Sequence, residues 1–440
     1  MKVDFAKKTV GGFDYEFIRG VSTQTVGAAE FGECMETMHR IKDNDFDSWT
    51  REWADTAGHV KGFAEAALAS GDRATARTAF FKASNYYRMA AFYAKHTDPR
   101  HRSNWEQSRS CFDSMLDLTD TPHERVGIEF EGAALPALFA SGGEGPRPTL
   151  IALGGFDSTL EEVYNWIGPA AVERGWHCLV FEGPGQWGAL MDNPGLTFRG
   201  DYEKPTAAVV DYLLTRADVD PDRIALIGYS AGGYFGPRAA SGEPRIHACI
   251  ANTLVVDCEE SARAGMKGIT NETLIDVAFT QLMKFNTPAR WAFQHTQWAF
   301  GITEPHQWPT AYAGYTLRGR EEQFTQPMLF LFGEDDIHDA AASTKTIVTG
   351  ILDFIQSLPC DRSAHLFSQR DGASSHCQMG GLSYAHATIF AWLNHVLGEA
   401  PAPTPVDQPG RQGFIDAFGT YGGPDAARKA AALADAIHII

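Results

Sequence analysis

The chain is 440 residues long, 44% of them apolar and 21% charged, a globular profile that excludes an intrinsically disordered or fibrous protein. Its formal net charge of -18 at pH 7 argues against nucleic acid as a partner, because phosphate binding depends on clustered Lys and Arg. Seven scattered cysteines without a CxxC pair indicate neither a disulfide framework nor a zinc site.

The opening Met1-Lys2-Val3-Asp4-Phe5-Ala6-Lys7-Lys8 lacks the apolar stretch of a signal peptide. No window approaches the roughly 18 uncharged apolar residues of a membrane span, so a cytoplasmic protein with no membrane partner is expected. Residues 1–120 read as a helical N-terminal domain. Between 75 and 95, Ala76, Ala79, Phe80, Ala83, Tyr87, Ala90 and Ala94 recur at three- and four-residue steps and mark one apolar stripe. The stretch before it stops at Ser70-Gly71-Asp72, which ends one helix and starts the next and so predicts an antiparallel pair. No second copy follows at a fixed period, so a repeat array is not expected.

After Pro122 the pattern changes to period two. Residues 126–130 and 135–139, with Gly132 between them, read as a hairpin of edge strands. Strands at 149–153, 177–181, 223–227 and 247–254 then alternate with helices at 160–173, 206–215 and 231–240. Continuous apolar strands between amphipathic helices imply an α/β protein with a mostly parallel sheet covered on both faces. Residues 121–257 and 325–399 make this core. The alternation stops over 258–324, a loop-like, aromatic stretch containing Phe279, Phe285, Trp291, Phe293, Trp298, Phe300, Trp308, Tyr312 and Tyr315. It reads as a cap insertion whose rings line a pocket or form the cap's own core. A strand at 327–332, a helix at 343–358, a strand at 364–368 and a helix at 384–397 complete the core. Residues 400–440 form a linker and C-terminal helical tail: Pro-rich Ala400-Pro401-Ala402-Pro403-Thr404-Pro405, an Ala-rich helix from near Pro424, and the apolar end Ala436-Ile437-His438-Ile439-Ile440. Such an end either docks, on the chain's own body or on a second subunit, or is a frayed terminus.

The strongest chemical signal is Ile227-Gly228-Tyr229-Ser230-Ala231-Gly232-Gly233, behind an apolar strand and ahead of a helix start rich in small residues. A serine exposed at a sharp strand-to-helix turn needs glycines two before and two after, since side chains there collide with the strand and helix that the turn brings together. A serine hydroxyl needs a base and an oriented partner for that base. In the α/β-hydrolase fold that this turn predicts, the chain order is Ser, acid, His. Gly333-Glu334-Asp335-Asp336-Ile337 supplies carboxylates in a loop after the strand at 327–332, with Asp336 favoured over Asp335. Arg370-Asp371-Gly372-Ala373-Ser374-Ser375-His376 delivers a histidine ahead of the last core helix, whereas His365 lies in a strand and His386 and His395 in a helix. The turn Leu153-Gly154-Gly155-Phe156-Asp157-Ser158 stands where this fold places an oxyanion donor, which assigns the amides of Phe156 and Ala231. Asp157 either orients a polar group of the substrate or caps the next helix. Tyr229, beside the nucleophile, is a further candidate for substrate contact.

Together, Gly154-Gly155-Phe156-Asp157-Ser158, Glu182-Gly183-Pro184-Gly185-Gln186, the Ser230 motif and His376-Cys377-Gln378 resemble the fermentation-respiration switch protein-like α/β-hydrolases. That group includes 2,6-dihydroxypseudooxynicotine hydrolase and the fungal heptaketide-shortening pigment hydrolases. The likeness spans roughly residues 60 to 398. It implies a homodimeric, cofactor-free enzyme whose helical N-terminal domain helps close the pocket; no metal-binding residues are assigned. Trp187 stands where relatives often carry Gly, which implies a reshaped pocket near Glu182 and makes both residues candidates for substrate contact.

The leading expectation is a serine hydrolase that cleaves an ester or ketone-activated carbon–carbon bond in an aromatic or polyketide-like small molecule. An acyltransferase using the same triad, and a non-catalytic binding protein on a hydrolase scaffold, are the alternatives. Fluorophosphonate labelling separates the last from the first two.

Overall fold

A computed structural model describes residues 13–265, 269–398 and 410–440; the opening octapeptide and the Pro-rich linker at 400–405 lie outside them. Five helices come first: α1 (Phe13–Ser22), α2 (Phe31–Arg40), α3 (Phe46–Ala69), α4 (Arg73–Phe92) and α5 (Pro99–Leu116). The α3–α4 pair forms as its punctuation dictates. Gly71 takes the left-handed φ of 86° after α3, and the Asp72 side chain accepts from the Thr75 amide at the start of α4. Burial on α4 exceeds the single apolar stripe: Asn85, Tyr86, Arg88 and Met89 on its other faces are buried too. The helix lies between α3 and α5 and also meets α1.

Next come β1 (His123–Phe130), β2 (Ala133–Ala140), β3 (Arg147–Leu153), α6 (Leu160–Glu173), β4 (His177–Phe181), α7 (Trp187–Asp192), α8 (Glu203–Leu214), β5 (Val219–Tyr229), α9 (Gly232–Ala240) and β6 (Ala248–Asn252). Four helices follow, α10 (Cys258–Gly265), α11 (Glu272–Phe285), α12 (Thr287–Phe300) and α13 (Trp308–Ala311). The chain ends with β7 (Met328–Gly333), α14 (Glu334–Ser343), α15 (Lys345–Ser357), β8 (Arg362–Phe367), α16 (Leu382–Val396), α17 (Gly410–Gly422), α18 (Pro424–Ala436) and β9 (His438–Ile439).

The strands form one nine-stranded sheet in the order β1-β2-β4-β3-β5-β6-β7-β8-β9. The β1–β2 hairpin is antiparallel, as is the β2–β4 pairing, and the remaining pairings are parallel. The hairpin turns at Glu131-Gly132, both with positive φ. Of the parallel strands, β3, β4, β6 and β7 are buried almost throughout, in keeping with helices on both faces.

Two segments differ from the expected pattern. The 258–324 stretch is largely helical, since Asn271 and Asn286 accept the Leu274 and Ala289 amides as N-caps, and Pro opens α12. Phe279, Phe293 and Trp308 there pack against one another as the cap's own core, while Phe285 is 88% exposed. The carboxylates after β7 also sit not in a loop but in the first turn of α14, where the helix N-terminus favours negative charge.

The C-terminal end docks on the chain's own body. β9 pairs with β8, α18 packs on α15, and Phe414 and Phe418 of α17 are buried against Phe332 of β7.

Candidate active site

Ser230 follows β5 directly, at the turn into α9, with φ of 60°. The turn admits only glycine at its flanks. A Cβ on Gly228 would lie 2.0 Å from the Gly232 carbonyl oxygen, and one on Gly232 would lie 2.9 Å from that of Leu153. The strained serine is held by its own amide, which donates to Asn252 O at 2.9 Å, and by its carbonyl, which accepts from the Gly233 amide at 2.7 Å.

The histidine arrives from the loop between β8 and α16, and the carboxylate from the start of α14. His376 Nε2 accepts from the Ser230 hydroxyl at 2.8 Å, and Nδ1–H donates to Asp336 Oδ1 at 2.6 Å, the tautomer that satisfies both partners. The Thr253 hydroxyl donates to the other Asp336 oxygen at 2.7 Å. Asp335 points elsewhere and accepts from the Ser374 hydroxyl at 2.9 Å. Burial alone would depress the His376 imidazole, but the Asp336 carboxylate overcomes it and holds the ring well above its ordinary pKa. Gln378 fixes the loop from behind, its side-chain oxygen accepting from Asn252 Nδ2 at 2.6 Å.

The Gly154-Gly155-Phe156 turn closes over Ser230. A Cβ on Gly155 would stand 2.7 Å from that of Ser230, so only glycine lets the turn come this near. Among the described residues, neither the Phe156 nor the Ala231 amide has an intramolecular acceptor. The Gln186 side-chain amide braces the turn by donating to the carbonyls of Gly154, at 2.8 Å, and Gly155, at 3.1 Å. From the cap, His295 Nε2–H donates to the Phe156 carbonyl at 2.9 Å. Burial pushes that imidazole down to about 4, so the ring is a neutral donor at neutral pH. The Phe156 ring meets those of His295, Trp291 and Phe300, which gives the site aromatic walls.

The N-terminal helix reaches the same place. The Tyr15 hydroxyl donates to the His376 carbonyl at 3.1 Å, and Arg19 Nη1 lies 3.2 Å from Asp157 Oδ2. Arg19 also grips Glu162 of α6 through Nε and Nη2, at 2.7 and 2.5 Å, while Arg88 of α4 pairs with Glu16 and Glu162. Burial pushes Glu16 up to about 7. Burial would also raise Asp157, but Arg19, His295 and His376 outweigh it and keep that carboxyl below its usual range.

The other candidates are placed differently. Glu182 is buried, accepts the Leu160 amide at the start of α6 at 3.0 Å, and is pushed up to about 8 by burial and by Glu161. Trp187 is buried and stacks on His101 at 4.5 Å. Tyr229 turns into the core, its ring 5.4 Å from that of Trp166. Tyr15, Arg19, Gln186, Thr253 and His295 are neighbours of the site that sequence reasoning did not assign. Gln186 was within a quoted motif, whereas the others stand in stretches with no local signature. Among the described residues, no group of three or more His, Cys, Asp or Glu is placed to hold a metal ion, and no helix is long and apolar enough to cross a membrane.

Comparison with known proteins settles the family. The chain is 32% identical over 415 residues to hydrolase acrC of Aspergillus aculeatus, covering 87% of this chain and 96% of the relative. It is 30% identical over 419 residues to alpha/beta hydrolase psoB of Aspergillus fumigatus, covering 88% and 93%. The chain belongs to the α/β-hydrolases. It is also 31% identical over 408 residues to 20-hydroxy-prefusarin hydrolase FUS2 of Gibberella moniliformis, covering 87% and 96%. The crystal structure of 2,6-dihydroxy-pseudo-oxynicotine hydrolase shares the fold of this hydrolase, with a TM-score of 0.67, 22% identity and coverage of 88% and 98%. No family model matches the sequence. This α/β-hydrolase is thus an enzyme, and its hydrogen-bonded Ser230, His376 and Asp336 lie at the carboxyl ends of parallel strands, where sites form in open α/β sheets.

Proposed function

We infer that the hydrolase cleaves an acyl bond, an ester or a ketone-activated carbon–carbon bond, in an aromatic or polyketide-like small molecule, with Ser230 as nucleophile, His376 as base and Asp336 as its orienting acid. The observation that carries this reading is the unbroken hydrogen-bonded chain from the Ser230 hydroxyl through both His376 nitrogens to Asp336. Ser230 Oγ attacks the carbonyl carbon while His376 Nε2 takes its proton. The Phe156 and Ala231 amides donate to the oxyanion, each worth about 3 kcal/mol in the transition state. Collapse expels an alkoxide or an enolate, which takes the proton from His376. Water then attacks the acyl-serine with His376 again as base, releasing the acid and restoring the hydroxyl. Carbon–carbon cleavage by this route needs a leaving carbon that a neighbouring carbonyl or ring stabilises as its enolate. The aromatic walls around Phe156, and the resemblance of the motifs, support the substrate class.

Rapid mixing with 4-nitrophenyl acetate tests the covalent step. The expected result is a burst of nitrophenolate close to one equivalent, which Ser230→Ala abolishes while lowering kcat by about 10⁴-fold or more. Full turnover by Ser230→Ala excludes the acyl-serine.

A further inference from the structure

Asp157 follows Phe156, whose amide is the oxyanion donor, by one residue, so their Cα atoms are about 3.8 Å apart. Its carboxylate borders the site, within electrostatic reach of Tyr15, His295 and His376, and its side chain is 18% exposed. One oxygen is taken by Arg19 at 3.2 Å. No described residue donates to the other oxygen.

The charges behind it explain why a carboxylate stands there. Two guanidiniums, Arg19 and Arg88, face three acids, Glu16, Glu162 and Asp157. Glu162 already receives both a bidentate grip from Arg19 and a contact from Arg88, so Asp157 is surplus to the structural pairing. Burial raises Glu16 inside the cluster, whereas Arg19, His295 and His376 outweigh burial at Asp157 and hold it low, so the carboxylate beside the site keeps its charge. With one oxygen already on a guanidinium, the open acceptor suits a neutral donor better than a further cation.

We propose that Asp157 selects substrates that carry a hydroxyl a few bonds from the reacting carbonyl, accepting that hydroxyl through the oxygen that Arg19 leaves open. A largely buried acceptor left without a donor by a substrate lacking the hydroxyl costs binding, whereas a substrate carrying it regains a charge-assisted hydrogen bond. Asp157 is then a specificity residue of the Ser230 site, and the proposal rests on the acyl-hydrolase reading above.

The test compares kcat/KM for 4-nitrophenyl esters of 3-hydroxybutanoic, butanoic and 3-aminobutanoic acid in the full-length wild type, Asp157→Ala and Asp157→Asn. The expected wild-type preference for the hydroxy ester over the butanoate is about tenfold or more. Asp157→Ala brings the two to within threefold, and Asp157→Asn, which keeps an uncharged acceptor, falls between. A purely structural role for Asp157 lowers both esters by the same factor and leaves the ratio intact, which overturns the proposal. So does a wild-type ratio within threefold of one, and a stronger preference for the amino ester overturns the neutral-donor assignment. Absence of Ser230-dependent turnover of every ester tells against the acyl-hydrolase reading itself and takes the proposal with it.

Discussion

Ser230 adopts a φ of 60° that a side chain ordinarily avoids, at a cost of about 1–3 kcal/mol, and the turn tolerates it because Asn252 O and the Gly233 amide fix both sides of the residue. In the proposed mechanism His376 must be neutral to accept the serine proton, and the Asp336 carboxylate raises its pKa well above the ordinary value near 6.5. Activity therefore rises with pH through that raised value, and the acid limb of kcat/KM lies above pH ~6.5. Asp336→Asn removes the charge and leaves burial to act alone. The expected outcome is a kcat lower by about 10⁴-fold and an acid limb displaced to lower pH, read from a pH–rate profile of the residual activity. An unmoved limb contradicts the assignment of Asp336. Ser230 and His376 were legible because a turn and a loop of small residues announce them. Asp336 was harder to separate from Asp335, since adjacent carboxylates differ only in the direction that the first turn of α14 gives them.

The helices carry more of the site than their patterns suggest. α1 contributes Tyr15 and Arg19, four residues apart on one face, yet no periodicity reveals that their partners lie at residues 376 and 157. The cap helices were misjudged as loop because their aromatic composition masks the Asn caps and the Ile275–Phe279 spacing that specify them. At the other end, α17 lays Phe418 against Phe332, immediately before the Gly333 that leads into the acid-bearing helix. Phe418 is 1% exposed, and Phe418→Ala is expected to cost about 3–5 kcal/mol by denaturant melting and to lower kcat by loosening α14. Unchanged stability on that substitution shows that the tail does not dock in solution.

Across the whole molecule, the sheet was the most readable part, because parallel strands buried on both faces must be short continuous apolar runs. The distances between sites were not: 146 residues separate Ser230 from His376, and only the strand order brings them together. Shape likewise decides where the helical opening segment sits, and its buried Arg19–Glu162 and Arg88–Glu162 pairs tie it to α6 and thus to the turn at 154–156. The central claim is that this architecture makes one serine nucleophilic. Its most direct measurement is peptide mapping by mass spectrometry after reaction with a fluorophosphonate. The account predicts a single adduct on Ser230 in the wild type, none in Ser230→Ala, and much slower modification in His376→Ala. An adduct forming equally in Ser230→Ala, or a wild type that turns over esters while resisting the probe, contradicts it.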